Sequence, residues 1–258
     1  MAVLALASLT GLAPWSVVQP PHEPRAVAFV RPVRLYADAS LPAEQAALPG
    51  VVVGGLEAAL VQHFAPDGRF EWVDFRARAA EVSRRTDQAD AVLLARQSVR
   101  LAGEYVETLN LASATAELGV ALAAYRRTLA SWSEPAEVAA VYRDLALAHL
   151  ELAHAGEGDV AEAQGRADAA LRSMIRVAPT MRLQADGYPA AVVTAYRRAY
   201  TAAMSFEGGS AGMSAADAQH VARLLGVDVV VAAALITDEA GTALAVQVWD
   251  GVAGRFVV

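Results

Sequence analysis

Residues 93–125 read LLARQSVRLAGEYVETLNLASATAELGVALAAY, and the spacing of small and large residues within them decides the fold of the middle of the chain. Leu101, Ala102 and Tyr105 stand at helical intervals, and so do Ala114, Leu118 and Ala121. Small residues at such positions let two paired helices approach closely, while Leu and Tyr fill the space between them. The pattern returns with Tyr142, Leu145, Ala146 and His149 in one helix and Ala167, Leu171 and Met174 in its partner, closed by Pro179. A longer turn at Gly156-Glu157-Gly158 is expected to carry a register slip of nine residues (Leu101 to Ala114 against Leu145 to Ala167). Ser98 stands where a strict repeat wants a bulky residue, and Arg126 where it wants proline. An ordinary Ala/Leu-rich helical bundle is the competing reading of the same spacing.

With its large-x-x-Leu-Gly/Ala-x-x-Tyr and Ala-x-x-x-large-x-x-Ala helices, the stretch resembles the tetratricopeptide repeat. In particular, it is similar to tetratricopeptide-like envelope proteins of GC-rich Gram-negative bacteria. IRVAPTMRLQADGYPAAVVTAYRRAY, residues 175–200, adds a Pro-terminated repeat and a Pro-led closing helix. The resemblance covers about half of the chain and implies a scaffold that binds other proteins rather than an enzyme. In that family the first helix of each pair lines the concave surface. The carried-over register projects Arg96, Val99 and Gly103 from the first pair, and Arg143, Leu147 and Leu150 from the second. Arginine beside aliphatic side chains suits an acidic or carboxylate-ended peptide. Packing of the same residues against the flanking unit or the closing helix is the alternative.

Outward from the helices the texture changes. Ala26 to Tyr36 is rich in Val, Phe and Tyr and predicts a strand, with Pro32 at an edge or bulge. A loop with Pro42 and Pro49 leads to a helix over Gly50 to Phe64, with Val53, Leu56, Leu60 and Phe64 on one stripe. Asp67-Gly68 makes a turn before a second strand, Arg69 to Phe75. Beyond the closing helix (Pro189 to Met204), Gly208 to Gly212 reads as a flexible break. Ser214 and Asp217 then cap a short helix ending near Leu225. VDVVVAAALI (227–236), Thr242 to Trp249 and Arg255 to Val258 read as three strands.

Joined, the two ends predict an α+β chain, with an α-helical repeat region inserted into a small α/β domain. That domain is a mixed sheet covered on one face by two helices. The expected boundaries are 1–25 for a leader and linker, 26–76 and 213–258 for the two halves of the α/β domain, and 77–205 for the helices. ARLLGVDVVVAAALITDEAG (222–241) and VQVWDGVAG (246–254) resemble the amino-terminal domain of TolB and of curli-secretion lipoproteins. Two unrelated α/β fragments, or a C-terminal hairpin packed on the repeats, are the alternatives.

The chain has 258 residues, is 55% hydrophobic and contains no cysteine, which removes disulfides, thiol nucleophiles, cysteine metal sites and a lipidated cysteine anchor. All 21 basic residues are arginine, so lysine Schiff bases and a Walker lysine are excluded. The net charge of −7 argues against nonspecific nucleic-acid binding. The pairs Arg84-Arg85, Arg126-Arg127 and Arg197-Arg198 read as solvated helix faces. MAVLALASLTGLA (1–13) is too short to span a membrane. It has the apolar core of a secretory signal without the basic residues that should precede it. Export to the periplasm and a cytoplasmic location are both compatible with it, export being preferred.

No catalytic constellation emerges. Gly208-Gly209-Ser210-Ala211-Gly212 matches the letters of the nucleophile elbow, but a helix precedes it where the elbow needs a strand. His149 and His154 lie about 140° apart on one helix, too far to share a metal. Gly50 to Gly55 lacks the dinucleotide-binding spacing. The expected function is therefore a non-enzymatic adaptor of the cell envelope, docking another protein through the helical repeat groove, with no cofactor, no metal and no nucleic acid. A small-ligand or saccharide-binding domain, using the crevice between the two units, is the alternative.

Overall fold

The computed structural model describes residues 24–257 apart from 31–33, 38–47, 65–67, 69, 157, 184–186, 205–212 and 239–240. The leader, the loop with Pro42 and the glycine-rich 208–212 segment lie outside the described residues. The chain is α+β, with a large helix-rich region and a small, open, mixed sheet.

The sheet draws its strands from both ends of the chain. Its segments are β1 (Arg25–Phe29), β2 (Arg34–Ala37), β3 (Phe70–Val73), β4 (Val229–Asp238), β5 (Gly241–Asp250) and β6 (Arg255–Phe256). The order across it is β3-β1-β4-β5-β6, with β2 also paired to β4. β1 runs parallel to both β3 and β4, while β5 and β6 return antiparallel. The single strand expected from Ala26 to Tyr36 is instead two segments along one side of β4. Phe29 stands opposite Val231 and Arg34 opposite Ala234, so five steps of chain match three on β4. Pro32, expected at an edge or bulge, lies outside the described residues.

Helices cover both faces of the sheet, not one. Val27, Phe29, Val229, Val231 and Val248 pack with Leu56 and Leu60 of α1 (Leu48–Phe64). Their neighbours Ala28, Val30, Val230, Ala232 and Trp249 point the other way, onto α2 (Phe75–Ser83) and α9 (Ala215–Leu225). Successive strand residues alternate faces, so strands apolar on both parities must be covered twice. α1 begins at Leu48, which takes Pro49 into its first turn, where a missing N–H costs little. α9 starts with the expected capping box: Ser214 Oγ accepts from the Asp217 N–H at 3.1 Å, and the Asp217 carboxylate accepts from the Ser214 N–H at 3.3 Å. It stops at Gly226, whose φ of 66° suits glycine.

Between β3 and β4 run α3 (Thr86–Glu107), α4 (Leu111–Tyr125), the short α5 (Ala130–Ser133), α6 (Pro135–Ala155), α7 (Val160–Val177) and α8 (Ala190–Met204). α3 packs on α4, α4 on α6, α6 on α7 and α7 on α8. Ala95, Ala102, Leu118, Ala121 and Val138 form one core; Ala146, Leu171, Met174, Ile175 and Ala195 form the next. Tyr142 and Leu145 touch both. The nine-residue slip is not a loop effect. The α3–α4 connection spans 108–110 and the α6–α7 connection 156–159, a difference of one residue. The remainder is about one extra helical turn at the end of α6 and one at the start of α7, which keeps the same face inward.

Candidate functional site

A cleft of about 1090 Å³ opens where the helical stack meets the sheet unit. α2 gives it Phe75, Arg76, Ala79 and Ser83, with Arg84 just beyond; α3 gives Gln88, Val92, Leu93 and Arg96. Tyr125, Thr128, Leu129 and Trp132 close the far side, followed by Glu134 and Glu137. The local sequence explains the arrangement. Asp74 caps α2 by accepting from the Ala77 N–H (3.0 Å), and α2 buries Phe75, Ala79 and Val82 against the sheet. Leu129 and Trp132 come from the chain around α5 and join that same core. Leu93 is 55% exposed beside it.

One wall is a fixed polar network. Arg96 donates from Nε and Nη2 to the two carboxylate oxygens of Glu137, at 2.7 and 2.9 Å. The Tyr125 hydroxyl donates to Glu137 at 2.5 Å. The Arg96 guanidinium holds the Glu137 carboxyl below its usual range against the opposing effect of burial, and the Tyr125 hydroxyl helps. Burial and the neighbouring carboxylate push the Tyr125 phenol up, and Glu137 raises Arg96 in turn. The rest of the lining differs. The guanidinium groups of Arg76 and Arg84 are exposed and have no hydrogen-bond or ion-pair partner among the described residues. Gln88 is buried; its amide donates to Asp87 (3.1 Å), and its Oε1 has no partner among the described residues.

Of the residues projected from the sequence, Arg96 alone lines this cleft, and it is already engaged by Glu137. Val99 is half-buried against the α3–α4 core, and Gly103 is exposed. Arg143, half-buried, pairs with Asp144 at 2.7 Å. Burial alone would lower its pKa, but Asp144 and the Tyr188 hydroxyl outweigh that and raise it. Leu147 and Leu150 are partly buried in the core that includes α8. Sequence reasoning missed Arg76, Arg84 and Trp132 as members of a site. Arg76 belongs to a helix outside the repeat register and Arg84 to its C-terminal cap, while Trp132 belongs to a helix of four residues with no periodicity to read. The pair Arg84-Arg85 was the available signal, since an arginine between two helices stands where a junction forms.

The hydroxyl–carboxylate contact in the cleft is Tyr125–Glu137, and no group of three or more His, Asp or Glu among the described residues is placed to hold a metal. No described helix is long and apolar enough to cross a membrane. What the cleft offers chemically is an apolar floor, a neutralised Arg–Glu–Tyr wall and two cations without a partner among the described residues. These features define an α+β chain whose sheet unit and helical stack meet in an open, Arg-bearing crevice. No family model, no curated protein and no solved structure matches the chain.

Proposed function

We propose that the chain is a non-enzymatic adaptor of the bacterial cell envelope. In this reading a tetratricopeptide-like helical region, inserted into a TolB-like α/β domain, takes an apolar, acid-bearing segment of another protein in the junction cleft. The observation that carries the reading is the pairing of an apolar floor (Phe75, Val92, Leu129, Trp132) with Arg76 and Arg84, which have no partner among the described residues. An amphipathic helix or extended peptide lays its apolar side into such a groove, and rim cations select its carboxylates. Arg96 has a supporting role: its bidentate bond to Glu137 ties α3 to the start of α6 and shapes the wall.

The second reading, a small-ligand or saccharide site in the same crevice, draws on the cleft volume, which is just above the usual range for small-molecule pockets. Selection from a displayed peptide library separates the two. The adaptor reading expects enrichment of peptides carrying Asp or Glu beside aliphatic residues, and loss of their binding in Arg76→Glu/Arg84→Glu. Peptides that bind the double variant equally well place the contact elsewhere. No enrichment, together with binding of a small carboxylate or sugar that perturbs Trp132, selects the second reading.

A further inference from the structure

Among the described residues, most of the outer edge of β5 has no strand beside it. β6 pairs only with its last two residues, Trp249 and Asp250, and Val257 N–H donates to Val248 C=O at 2.9 Å. In an antiparallel ladder, the peptide groups of every second residue face the same neighbour. Because Val248 faces β6, the N–H and C=O groups of Val246, Leu244 and Thr242 face the same way, and no described strand pairs with them. The open stretch, Gly241-Thr-Ala-Leu-Ala-Val-Gln247, has no charge, no proline and no bulge against β4. Those are the devices by which edge strands normally avoid pairing. Leu244 is 37% exposed, and its side chain lies on the α1 face with Val246 and Val248.

We propose that this edge pairs antiparallel with the same edge of a second copy, about a two-fold axis through Leu244. Among the described residues the free stretch is seven residues long, bounded by the β4–β5 turn on one side and by β6 on the other. An axis at Leu244 sets Gly241 against Gln247, Thr242 against Val246 and Leu244 against itself. Every outward N–H then meets a C=O, and no like charges oppose each other in a chain of net charge −7. A contact of one strand edge plus the Leu244 and Val246 side chains falls at or below the roughly 1,000 Å² of a stable interface, so the dimer is concentration-dependent.

The absence of native cysteine makes the test clean. Leu244 and its copy form a hydrogen-bonded pair with Cα atoms about 5.5 Å apart, within the 4.4–6.8 Å or so that a disulfide spans. Leu244→Cys under mild oxidation is expected to yield a dimer about tenfold faster or more than Val252→Cys, a control at an exposed turn residue. Wild type should show mass rising with concentration in sedimentation, and Leu244→Lys, with an unchanged far-UV spectrum, should stay monomeric. Equal cross-linking at the two cysteines, or a wild type that stays monomeric, overturns the proposal. So does a Leu244→Lys variant that still dimerises, since the contact is then elsewhere.

Discussion

The two regions of this chain are held together by opposite means. In the helical stack each helix rests on its neighbour in sequence, and the cohesion is buried Ala, Leu and Met. In the sheet unit the decisive contacts join residues more than 200 positions apart. Arg25 at the start of β1 donates to both carboxylate oxygens of Asp250 at the end of β5, at 2.6 and 3.2 Å. Asp228 accepts from the Ala26 N–H (2.9 Å) and returns its own N–H to the Ala26 C=O (2.8 Å). Stacks of neighbour contacts fail locally, whereas a sheet closed by its two ends fails at both ends together.

The largest expected effect comes from the stack. Leu171 is fully buried, and Leu171→Ala should cost about 3 kcal/mol of unfolding free energy in urea, the loss of packing plus the cavity left behind. Faster amide exchange should be confined to α6, α7 and α8; loss of protection in β1 and β4 would break the contrast. Asp250→Ala comes next, at roughly 2 kcal/mol, because it strands the partly buried Arg25 and removes the acceptor for the Val252 and Ala253 N–H groups. Burial alone would raise the Asp250 carboxyl, but Arg25 and those two N–H groups outweigh it and hold it low. A depressed carboxylate contributes stability above its unfolded pKa and loses it as the pH falls through the folded value. The acid limb of a stability–pH curve should therefore be flatter in Asp250→Ala than in wild type.

A smaller effect tests the packing beside that pair. A Cβ at Gly251 would meet the Asp228 carbonyl oxygen at 2.9 Å. Gly251→Ala should thus lower stability by about 1 kcal/mol through a forced backbone shift, read as a lower thermal midpoint. The mildest prediction concerns the stack. Burial and the nearby Arg166 push the His149 imidazole down, so its NMR titration should fall below that of free histidine. Its neutral form favours the fold, so this contribution is present above the unfolded pKa and declines as the pH falls through it and on to the lower folded value. His149→Gln should remove that decline.

The helices were legible because their information is local. Ala102, Ala114, Leu118, Ala121, Ala167, Leu171 and Met174 are all buried, as their spacing requires. Ser98 and His149 are buried too, in places where the pattern tolerates a small or a polar residue. The strand order along the chain was equally visible. The covering of both sheet faces was missed, although VDVVVAAALI carries the signal: a continuous apolar run leaves no parity for solvent. The register slip between Phe29 and Arg34 and the Arg25–Asp250 pair depend on residues brought together only by folding. The cleft was half legible. Arg96 could be projected from helix spacing, but Arg76, Arg84 and Trp132 reach it from elements that no repeat register contains.

The most direct test of the two-ended sheet is residue-resolved amide exchange on Asp250→Ala, compared with wild type. The account predicts that Arg25–Phe29 and Val229–Asp250 lose protection together, while α3, α4, α6 and α7 keep theirs. Loss restricted to the residues around 250, with β1 unchanged, would contradict it.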